Sequence, residues 1–565
     1  MGDETDFERD SRNLMERSCL LFIEARNRAI NSFKDGHLNK SMEWLEFAAT
    51  IAYRFHPGFF ADGECERLLW AIGKSDLQCS LKDIPTIVSC NNQADKTNVI
   101  HVMTTAMATG GHTRVVARWI KNCTMANVPY VQSIIITNQK DRSIPSWLES
   151  AAAETGGICK VLPRSLSPLE RSALLRKTLY SSADLVVLHI HPQDSISGVA
   201  LAEDKRKFPV LFFNHSDHTF LLGTSVADIM LEYRAIGREI SEKERASKGR
   251  VVSLPIPLAD PVGSSPIGNE RNIRRSSGRE RLGIPTGALV ILVISEQMKL
   301  KPIFGLDFKR AANSILEHLD ATQMYAIGVP DVGEWRQLAR KTKGRFRPLG
   351  RVEDAKTLAN LYWAADIYLV GIPLGSPTAM LDAGLYELPI HRLVNPIAPM
   401  TSGDDMSLEQ SLPSSKTEEG YVDSAVRLLR LSSDERNRIG KETRSRILED
   451  HHGESWVNKW LKPAIEVATA NKDRQAPIHR SLPGSIDCKH GQPEILTNHY
   501  SALAMSLADH TECMILASLD SCSDLSFATR LACLRWSLSR HEPLESPGAL
   551  RYFLPQFLNL ILPKS

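Results

Sequence analysis

Two series of short apolar runs, each run followed by an amphipathic segment, constrain the fold of this 565-residue chain more than any other feature. The first series begins near Thr97 and the second near Leu289. Short runs bounded by turn residues are typical of strands buried on both faces, and the segments between them have the apolar spacing of helices. Because strands that alternate with helices pair in parallel through right-handed crossovers, each series predicts an α/β domain.

The strands and helices of both series can be assigned. In the first we predict strands over 99–103, 130–137, 157–162, 185–191 and 210–213, with helices over 114–122, 144–154, 167–180 and 197–207. In the second we predict strands over 289–295, 324–328, 346–350, 367–370 and 389–393, with helices over 307–318, 332–342, 358–363 and 377–386. Two Rossmann-like domains in tandem form the GT-B architecture, in which ligands lie in the cleft that faces the carboxyl ends of the strands.

Further segments surround these domains. The predicted parts are a helical N-terminal unit (1–92), the first Rossmann-like domain (97–259), a Pro-, Gly-, Ser- and Arg-rich linker (260–280), the second Rossmann-like domain (281–420), closing helices (421–472) and a linker with a helical tail (473–565). The N-terminal unit partly matches a tetratricopeptide helix pair, but a single unit that caps the next domain is the simpler interpretation. The apolar end of the tail could pack on the core, meet a partner or touch a membrane, and we favour core packing.

Composition narrows the class of protein. The 68 basic and 66 acidic residues nearly cancel, which argues against a dedicated nucleic-acid binder. No apolar run approaches the roughly 18 to 20 residues that span a bilayer. The acidic start differs from a signal peptide, and the ten cysteines have no CxxC or zinc spacing, which is typical of reduced, mostly buried thiols. We therefore expect a cytoplasmic protein without a transmembrane segment.

A Gly-Gly turn follows the first strand of the first domain. Gly110 and Gly111 allow a tight turn and a close approach of a ligand to the N-terminus of the next helix. The GxGxxG dinucleotide fingerprint is absent. His112 and Arg114 would then project at the mouth of the cleft, where a base and an anion anchor are useful. The alternative is a purely structural turn.

Histidines follow two later strands of this domain. His189 and His191 end one strand, and His215, Asp217 and His218 follow the next. His215 beside Asp217 could be an oriented general base or a ligand for phosphate and sugar. The histidines could instead have a purely structural role, hydrogen-bonded to the backbone or to one another, or they could bind zinc or iron.

Two segments of the second domain are suited to binding an anion. Lys299 and Lys301 lie in the loop after the strand 289–295, where a lysine can meet a diphosphate. Further along, Gly375 and Ser376 supply a tight turn before a predicted helix.

At that helix start, Pro377 suits the first helical position. The N–H groups of Ser376, Thr378 and Ala379, with the two hydroxyls, form an anion cradle. Asp382, one turn further, can accept hydrogen bonds from a ribose diol. An ordinary capped helix is the alternative.

These motifs resemble GT-B glycosyltransferases that use nucleotide sugars, in particular the family of protein O-GlcNAc transferase and bacterial cytoplasmic N-glycosyltransferases. Lys299 to Pro302 fits the Lys-x-x-Pro segment of that family, and the segment 373–389 is similar to its Pro-x-x-Gly, Thr, Leu-Asp-Ala and Gly-x-Pro pattern, with Ser376 in place of the first Gly. The Gly110-Gly111-x-x-Arg114 turn is more similar to the retaining family that includes glycogen synthase.

The resemblance to the retaining family is incomplete. Retaining enzymes of that family usually carry two acidic residues eight positions apart around this helix. Here Asp382 occupies the second position but Leu374 the first. We therefore expect an inverting displacement.

The resemblance implies a metal-independent hexosyl- or N-acetylhexosaminyltransferase with a UDP- or GDP-linked sugar as co-substrate and no other cofactor. Its donor site would comprise Lys299, Lys301, Arg351, Gly375, Ser376, Thr378 and Asp382. An acceptor of unknown class (glycan, lipid-linked or protein) would enter the first domain, with His112 or His215 as base. The same cleft would be lined by Gly110, Gly111, Arg114, His191, Asp217 and His218.

Two other functions stay open at this point. One is a GT-B-like protein that binds a nucleotide or a partner without catalysis. The other is a metal-dependent hydrolase built on His189, His191, His215 and His218.

Overall fold

The computed structural model describes residues 6–54, 56–75, 95–108, 111–139, 143–245, 247, 249–260, 270–285, 287–302, 305–394 and 412–471. Gly110 and the predicted linker and helical tail (473–565) lie outside these residues. In the described part, no helix combines the length and the apolar character needed to cross a bilayer.

Three helices open the chain: α1 (Asp6–Lys34), α2 (Leu38–Arg54) and α3 (Gly63–Lys74). The chain turns between the first two at Gly36, whose φ of 78° is favourable for glycine. Asp62 caps α3 through the Cys65 amide and accepts a hydrogen bond from Arg26 of α1 at 2.8 Å. This buried pair fixes the third helix against the first.

The first sheet is parallel and contains seven strands in the order β3-β2-β1-β4-β5-β6-β7. They are β1 (Thr97–Met103), β2 (Tyr130–Ile136), β3 (Cys159–Val161), β4 (Leu185–His189), β5 (Val210–Phe213), β6 (Ile229–Glu232) and β7 (Val251–Ser253). The helices between them are α4 (Gly111–Met125), α5 (Ser146–Glu154), α6 (Pro168–Ser182), α7 (Ser195–Leu201) and α8 (Ala235–Lys243). The sequence predicted β1 to β5 and missed the short strands β6 and β7, of which β7 forms the edge of the sheet.

The second sheet is also parallel, with the order β10-β9-β8-β11-β12-β13. Its strands are β8 (Leu289–Ile294), β9 (Thr322–Ile327), β10 (Phe346–Gly350), β11 (Ile367–Leu369), β12 (Ile390–Leu393) and β13 (Ser414–Ser415). The helices are α9 (Glu270–Arg281), α10 (Phe308–Glu317), α11 (Gly333–Lys341), α12 (Ala355–Ala364) and α13 (Pro377–Leu385). Two parallel α/β sheets in tandem confirm the predicted GT-B fold class.

The segment predicted as an interdomain linker differs from that prediction. Helix α9 occupies its second half and packs against α12. Arg275 and Arg279 of α9 each bind Asp366 at 2.6 Å, where Asp366 also accepts the backbone N–H of Val290. Charge-assisted contacts to a buried carboxylate therefore anchor this segment to the second domain.

The closing helices are α14 (Glu418–Arg430), α15 (Ser433–His451), α16 (Gly453–Trp456) and, after a π-helical turn, α17 (Lys462–Asn471). They return the chain to the first domain. Trp456 is fully buried, donates a hydrogen bond to the Pro255 carbonyl at 2.8 Å and packs edge-on against Trp119 of α4. Trp460, four residues further along, is half-buried and donates a hydrogen bond to Asp450.

The N-terminal helices share a hydrophobic core with the first domain. Phe22, Trp44 and Leu69 belong to the same buried cluster as Leu174 of α6 and Phe212 of β5. The N-terminal helices therefore pack directly on the first sheet and its helices. Cysteines mostly behave as predicted: Cys65 and Cys123 are buried and free. Cys19, however, is disulfide-bonded, which the sequence did not predict.

Candidate active site in the interdomain cleft

Two helices from different domains meet at the cleft. Both follow strands at which the strand order of their sheet reverses, which is where α/β proteins bind ligands. Gly111, the first residue of α4, lies so close to Thr378 of α13 that a Cβ at Gly111 would be 2.9 Å from the Thr378 hydroxyl. Arg118 of α4 binds Asp382 of α13 at 2.6 Å, and both side chains are largely buried. The glycine therefore permits, and the ion pair holds, a close approach of the two domains.

Three histidines form a hydrogen-bonded row across the first sheet, which we call the histidine chain (His101, His189 and His215). His101 Nδ1 lies 3.2 Å from His189 Nε2, and His189 Nδ1 lies 3.1 Å from His215 Nε2. The row ends at Gln132, whose Oε1 lies 3.1 Å from His101 Nε2. The four side chains come from β2, β1 and β4 and from the residue just beyond β5, so the row steps across neighbouring strands towards the cleft.

His112 lies beside the end of this row. Its Nε2 lies 2.6 Å from the backbone carbonyl of His189, and its ring centroid is 3.9 Å from that of His215. Because a carbonyl only accepts hydrogen bonds, Nε2 of His112 carries the proton and Nδ1 has the free lone pair. The two predicted bases are therefore neighbours.

The surroundings keep these imidazoles neutral. Burial lowers the pKa of His101 to about 4 and, with a contribution from His191, lowers the pKa of His112 to about 3. Burial and the neighbouring histidines also place the pKa of His215 well below its usual value. Uncharged imidazoles at neutral pH are available as proton acceptors.

Asp217 does not orient His215, which corrects one sequence-based hypothesis. The fully buried Asp217 binds the guanidinium of Arg234 through both carboxylate oxygens, one of them at 2.6 Å from Nε, and lies 3.3 Å from His218 Nδ1. Burial favours its neutral form, but Arg234 and His218 outweigh burial and lower the pKa of Asp217. Asp217 is therefore an ionised partner of Arg234.

Lys299 is a cation at the cleft without an ion-pair partner among the residues that the structure describes. It follows β8 in a short 3₁₀ turn and forms no ion pair with any residue that the structure describes. Its ammonium makes only long contacts, 3.4 Å to the Gly375 carbonyl and 3.5 Å to the Ser376 hydroxyl. Burial and the nearby Arg234 lower the pKa of Lys299, and Glu296 opposes them. A half-buried, uncompensated cation beside a second cation attracts an anion.

The start of α13 faces the same point. Ser376 is the N-cap residue, but its hydroxyl makes no capping bond and instead lies near Lys299. Pro377 takes the first helical position, as predicted. The first N–H groups of a helix lack intrahelical acceptors, so those of Thr378 and Ala379 can meet an anion there.

Other predicted site residues are placed as follows. Arg351 is exposed and lies 3.4 Å from Glu296, and Lys301 is half-buried in the loop after Lys299. Arg114 is half-buried in the first turn of α4 and acts electrostatically on Tyr362 of the second domain. Asp382, predicted to bind ribose, is engaged by Arg118.

A cavity of about 340 Å³ opens beside His191, between the carboxyl ends of the first sheet and helix α2. Among the atoms of its lining, Asn138 Oδ1, Gln193 Oε1 and Ser195 Oγ are buried and have no hydrogen-bond partner in the part of the chain that the structure describes. His191 links this cavity to the predicted bases, since its ring centroid is 5.3 Å from that of His112.

The histidines do not form a metal centre. The two ring nitrogens of His189 are hydrogen-bonded to His101 and His215, and His218 binds Asp217. Within the described ranges, no group of three or more His, Cys, Asp or Glu side chains has the arrangement of a metal site. This geometry does not support the hydrolase hypothesis.

The sequence analysis missed four residues that shape the site. Gln132 and His101 are strand residues that looked like ordinary core positions, whereas Arg118 and Arg234 lie on or next to helices. Their partners are distant in sequence, and only the tertiary fold brings them together. The one local signal was His101 inside an otherwise apolar strand.

Comparisons with known proteins add no family. No protein-family model matches the chain, and no curated protein matches it. A glycosyltransferase from Rickettsia africae is 13% identical with a TM-score of 0.48, and the match covers 66% of this chain and 99% of that chain.

Two further solved structures are similar at the same level. A mutant of Thermobaculum terrenum O-GlcNAc transferase is 13% identical with a TM-score of 0.45, and the match covers 81% of this chain and 99% of that chain. Anabaena HepE in complex with UDP and glucose is 11% identical with a TM-score of 0.47, covering 66% and 99%. Because likeness this low does not transfer function, the cleft itself must supply the functional argument.

Proposed function

We propose that this protein is a glycosyltransferase that moves a sugar from a nucleoside diphosphate to a hydroxyl-bearing acceptor. The observation that carries the proposal is Lys299, a half-buried cation without an ion-pair partner among the described residues, placed beside the first turn of α13. A half-buried cation without an ion-pair partner costs free energy in the ligand-free fold, and a bound anion would offset that cost. A diphosphate supplies it.

The donor would lie with its diphosphate between Lys299 and the N-terminus of α13. The Lys299 ammonium, the Ser376 and Thr378 hydroxyls and the free N–H groups of Thr378 and Ala379 all donate, and phosphate oxygens accept. These contacts strengthen as the glycosidic bond breaks and charge builds on the leaving diphosphate, so they lower the barrier of the chemical step. No metal ion is required in this proposal.

The acceptor would enter from the first domain and occupy the cavity beside His191. Amide and hydroxyl groups that both donate and accept hydrogen bonds, such as those of Asn138, Gln193 and Ser195, match the hydroxyl groups of a sugar. A phosphate, which only accepts, would leave their oxygens unpaired. We therefore favour a glycan portion over an anionic group as the part of the acceptor that this cavity holds.

A base would take the acceptor proton as the new bond forms. His112 and His215 are both neutral, and each presents Nδ1 without a hydrogen-bond partner among the described residues. We propose a single inverting displacement in which one of them receives the proton while the diphosphate leaves towards Lys299. A weak base suits a transition state in which the acceptor proton is lost late.

Nucleoside diphosphate release from a panel of UDP-, GDP- and dTDP-sugars, with and without a chelator, tests the proposal. We expect turnover of at least one donor in the presence of chelator. One of the two single variants, His112→Phe or His215→Phe, should lose about 10²- to 10⁴-fold in turnover, the usual range for a general base, with nucleoside diphosphate affinity unchanged. His318→Phe, an exposed histidine of the second domain, is the matched control.

The outcomes separate the alternatives. Nucleoside diphosphate binding without turnover of any donor would favour a non-catalytic nucleotide-binding protein. Turnover that is equal in the parent and in a His112→Phe/His215→Phe double variant would contradict the assignment of the base.

A further inference from the structure

The histidine chain has a direction that its far end determines. Gln132 Nε2 lies 3.4 Å from the Ile120 carbonyl, which can only accept, so the amide presents its oxygen to His101. His101 must then donate from Nε2 and accept at Nδ1. In the same way, His189 donates from Nε2 to His101 and accepts at Nδ1. His215 therefore donates from Nε2 to His189.

The row contains no group that can take up a proton at its buried end. Gln132 is 1% exposed and its amide does not titrate, and no carboxylate contacts His101 or His189 among the described residues. A proton received by His215 therefore has no route through the sheet. The row orients the imidazole of His215 and does not conduct protons.

The rings are also held sterically. His189 lies against Trp119 and Phe213, and His215 lies against Phe213 with ring centroids 4.8 Å apart. Such contacts fix the ring planes, but they do not distinguish one nitrogen from the other. Only the hydrogen-bond direction selects which nitrogen of His215 carries the proton.

We propose that Gln132, His101 and His189 are positioning residues that lock His215 in the tautomer whose Nδ1 lone pair faces the cleft. The hydrogen-bond geometry alone carries the tautomer assignment, whereas its catalytic consequence rests on the proposed function. In the reversed tautomer His215 would present an N–H to the cleft and could not accept the acceptor proton. A glutamine three side chains away would thus control whether the base is competent.

Nitrogen NMR of the full-length protein with isotope-labelled histidine tests the lock at neutral pH without any substrate. In the parent we expect His101, His189 and His215 to be protonated at Nε2 and unprotonated at Nδ1. Gln132→Leu removes the terminal acceptor, so the reversed tautomer of His215 should gain population by about fivefold or more, the factor for one hydrogen bond. Gln132→Glu, whose carboxylate also only accepts, should restore the parental pattern.

His391 of the second domain, which hydrogen-bonds to the Ser415 hydroxyl, is an internal control for folding. Its signal should be unchanged in both variants. An Nδ1-protonated His215 in the parent would overturn the proposal, as would a parental pattern in Gln132→Leu with the His391 signal intact.

Turnover gives a second readout that a purely structural role would not produce. Gln132→Leu should lower kcat with the donor KM unchanged, and Gln132→Glu should recover kcat. Equal kcat in Gln132→Leu and the parent would contradict the positioning role. If the parent turned over no donor, the proposed function would fail, while the NMR tautomers would still decide whether the lock exists.

Discussion

Removal of the Lys299 charge is the sharpest test of the donor site. Lys299→Met keeps an unbranched side chain, one atom shorter, and deletes the ammonium. Lys301→Met is the matched control because Lys301, although predicted as a donor ligand, lies two residues on in the same loop and has no part in the proposed diphosphate site. Two unit charges 4 Å apart attract by about 4 kcal/mol at an effective dielectric constant of about 20. Desolvation of the diphosphate offsets part of this, which leaves the roughly 1.5 to 3 kcal/mol of a charge-assisted hydrogen bond.

That energy corresponds to a loss in kcat/KM of about 10- to 150-fold, since about 1.4 kcal/mol is a factor of ten. The loss should fall mainly on kcat, because the leaving diphosphate is more negative in the transition state than in the bound donor. The assay is steady-state release of nucleoside diphosphate from the preferred donor. A parental rate in Lys299→Met, or an equal loss in Lys301→Met, would refute the reasoning.

The same substitution should not weaken the ligand-free fold. Lys299 forms no ion pair with a described residue, and burial together with Arg234 lowers its pKa, so its charged form is disfavoured in the folded state. We expect the free energy of unfolding of Lys299→Met, measured by chemical denaturation without ligand, to equal or exceed that of the parent. A clearly destabilised Lys299→Met would indicate that the lysine has a structural partner.

Three further outcomes are expected. Because the pKa of His101 is lowered to about 4, the folded protein resists a proton that the unfolded chain binds near pH 6.5. As the pH falls from 6 to 4, the free energy of unfolding should therefore decrease by about 1.4 kcal/mol per pH unit for each buried histidine whose pKa is lowered in this way. A free energy of unfolding that does not change over this pH range would contradict the burial of these rings. Arg118→Met should lower the free energy of unfolding by about 3 to 5 kcal/mol because it leaves the buried Asp382 unpaired. The double variant Arg118→Met/Asp382→Leu should recover much of that loss. Additive losses in the double-mutant cycle would show that the pair is not coupled. Gly111→Ala should lower activity because its Cβ meets the Thr378 hydroxyl, and Thr378→Ala should partly rescue it; a Gly111→Ala variant with parental activity would mean that the domains are further apart in solution.

The sheets could be predicted because their central strands are continuous apolar runs. Leu289–Ile294 and Val210–Phe213 consist almost entirely of Val, Ile, Leu and Phe, as strands covered on both faces do. The strands Ile229–Glu232 and Val251–Ser253 were missed because each is short and ends in a polar residue. Glu232 is fully buried and accepts from Asn214, a tertiary contact that no local pattern indicates.

The site could be predicted where its chemistry is local. The helix start after Gly375-Ser376 and the lysine that follows a strand were both readable, and the structure brings Lys299 within 3.5 Å of the Ser376 hydroxyl. The pairing of Asp382 with Arg118 joins residues 264 positions apart and depends on how the two domains approach. The sequence therefore indicated which groups come together at the start of α13 but not which charges are already engaged.

Helix α4 links two parts of the cleft that are otherwise independent. It begins with His112 beside His215, and two turns later it holds the second domain through Arg118 and Asp382. A helix of this length moves as one rigid rod, so a swing of the second domain that preserves the ion pair also shifts the imidazole at the rod's tip. The spacing of the two domains and the placement of His112 beside His215 are therefore coupled through one helix.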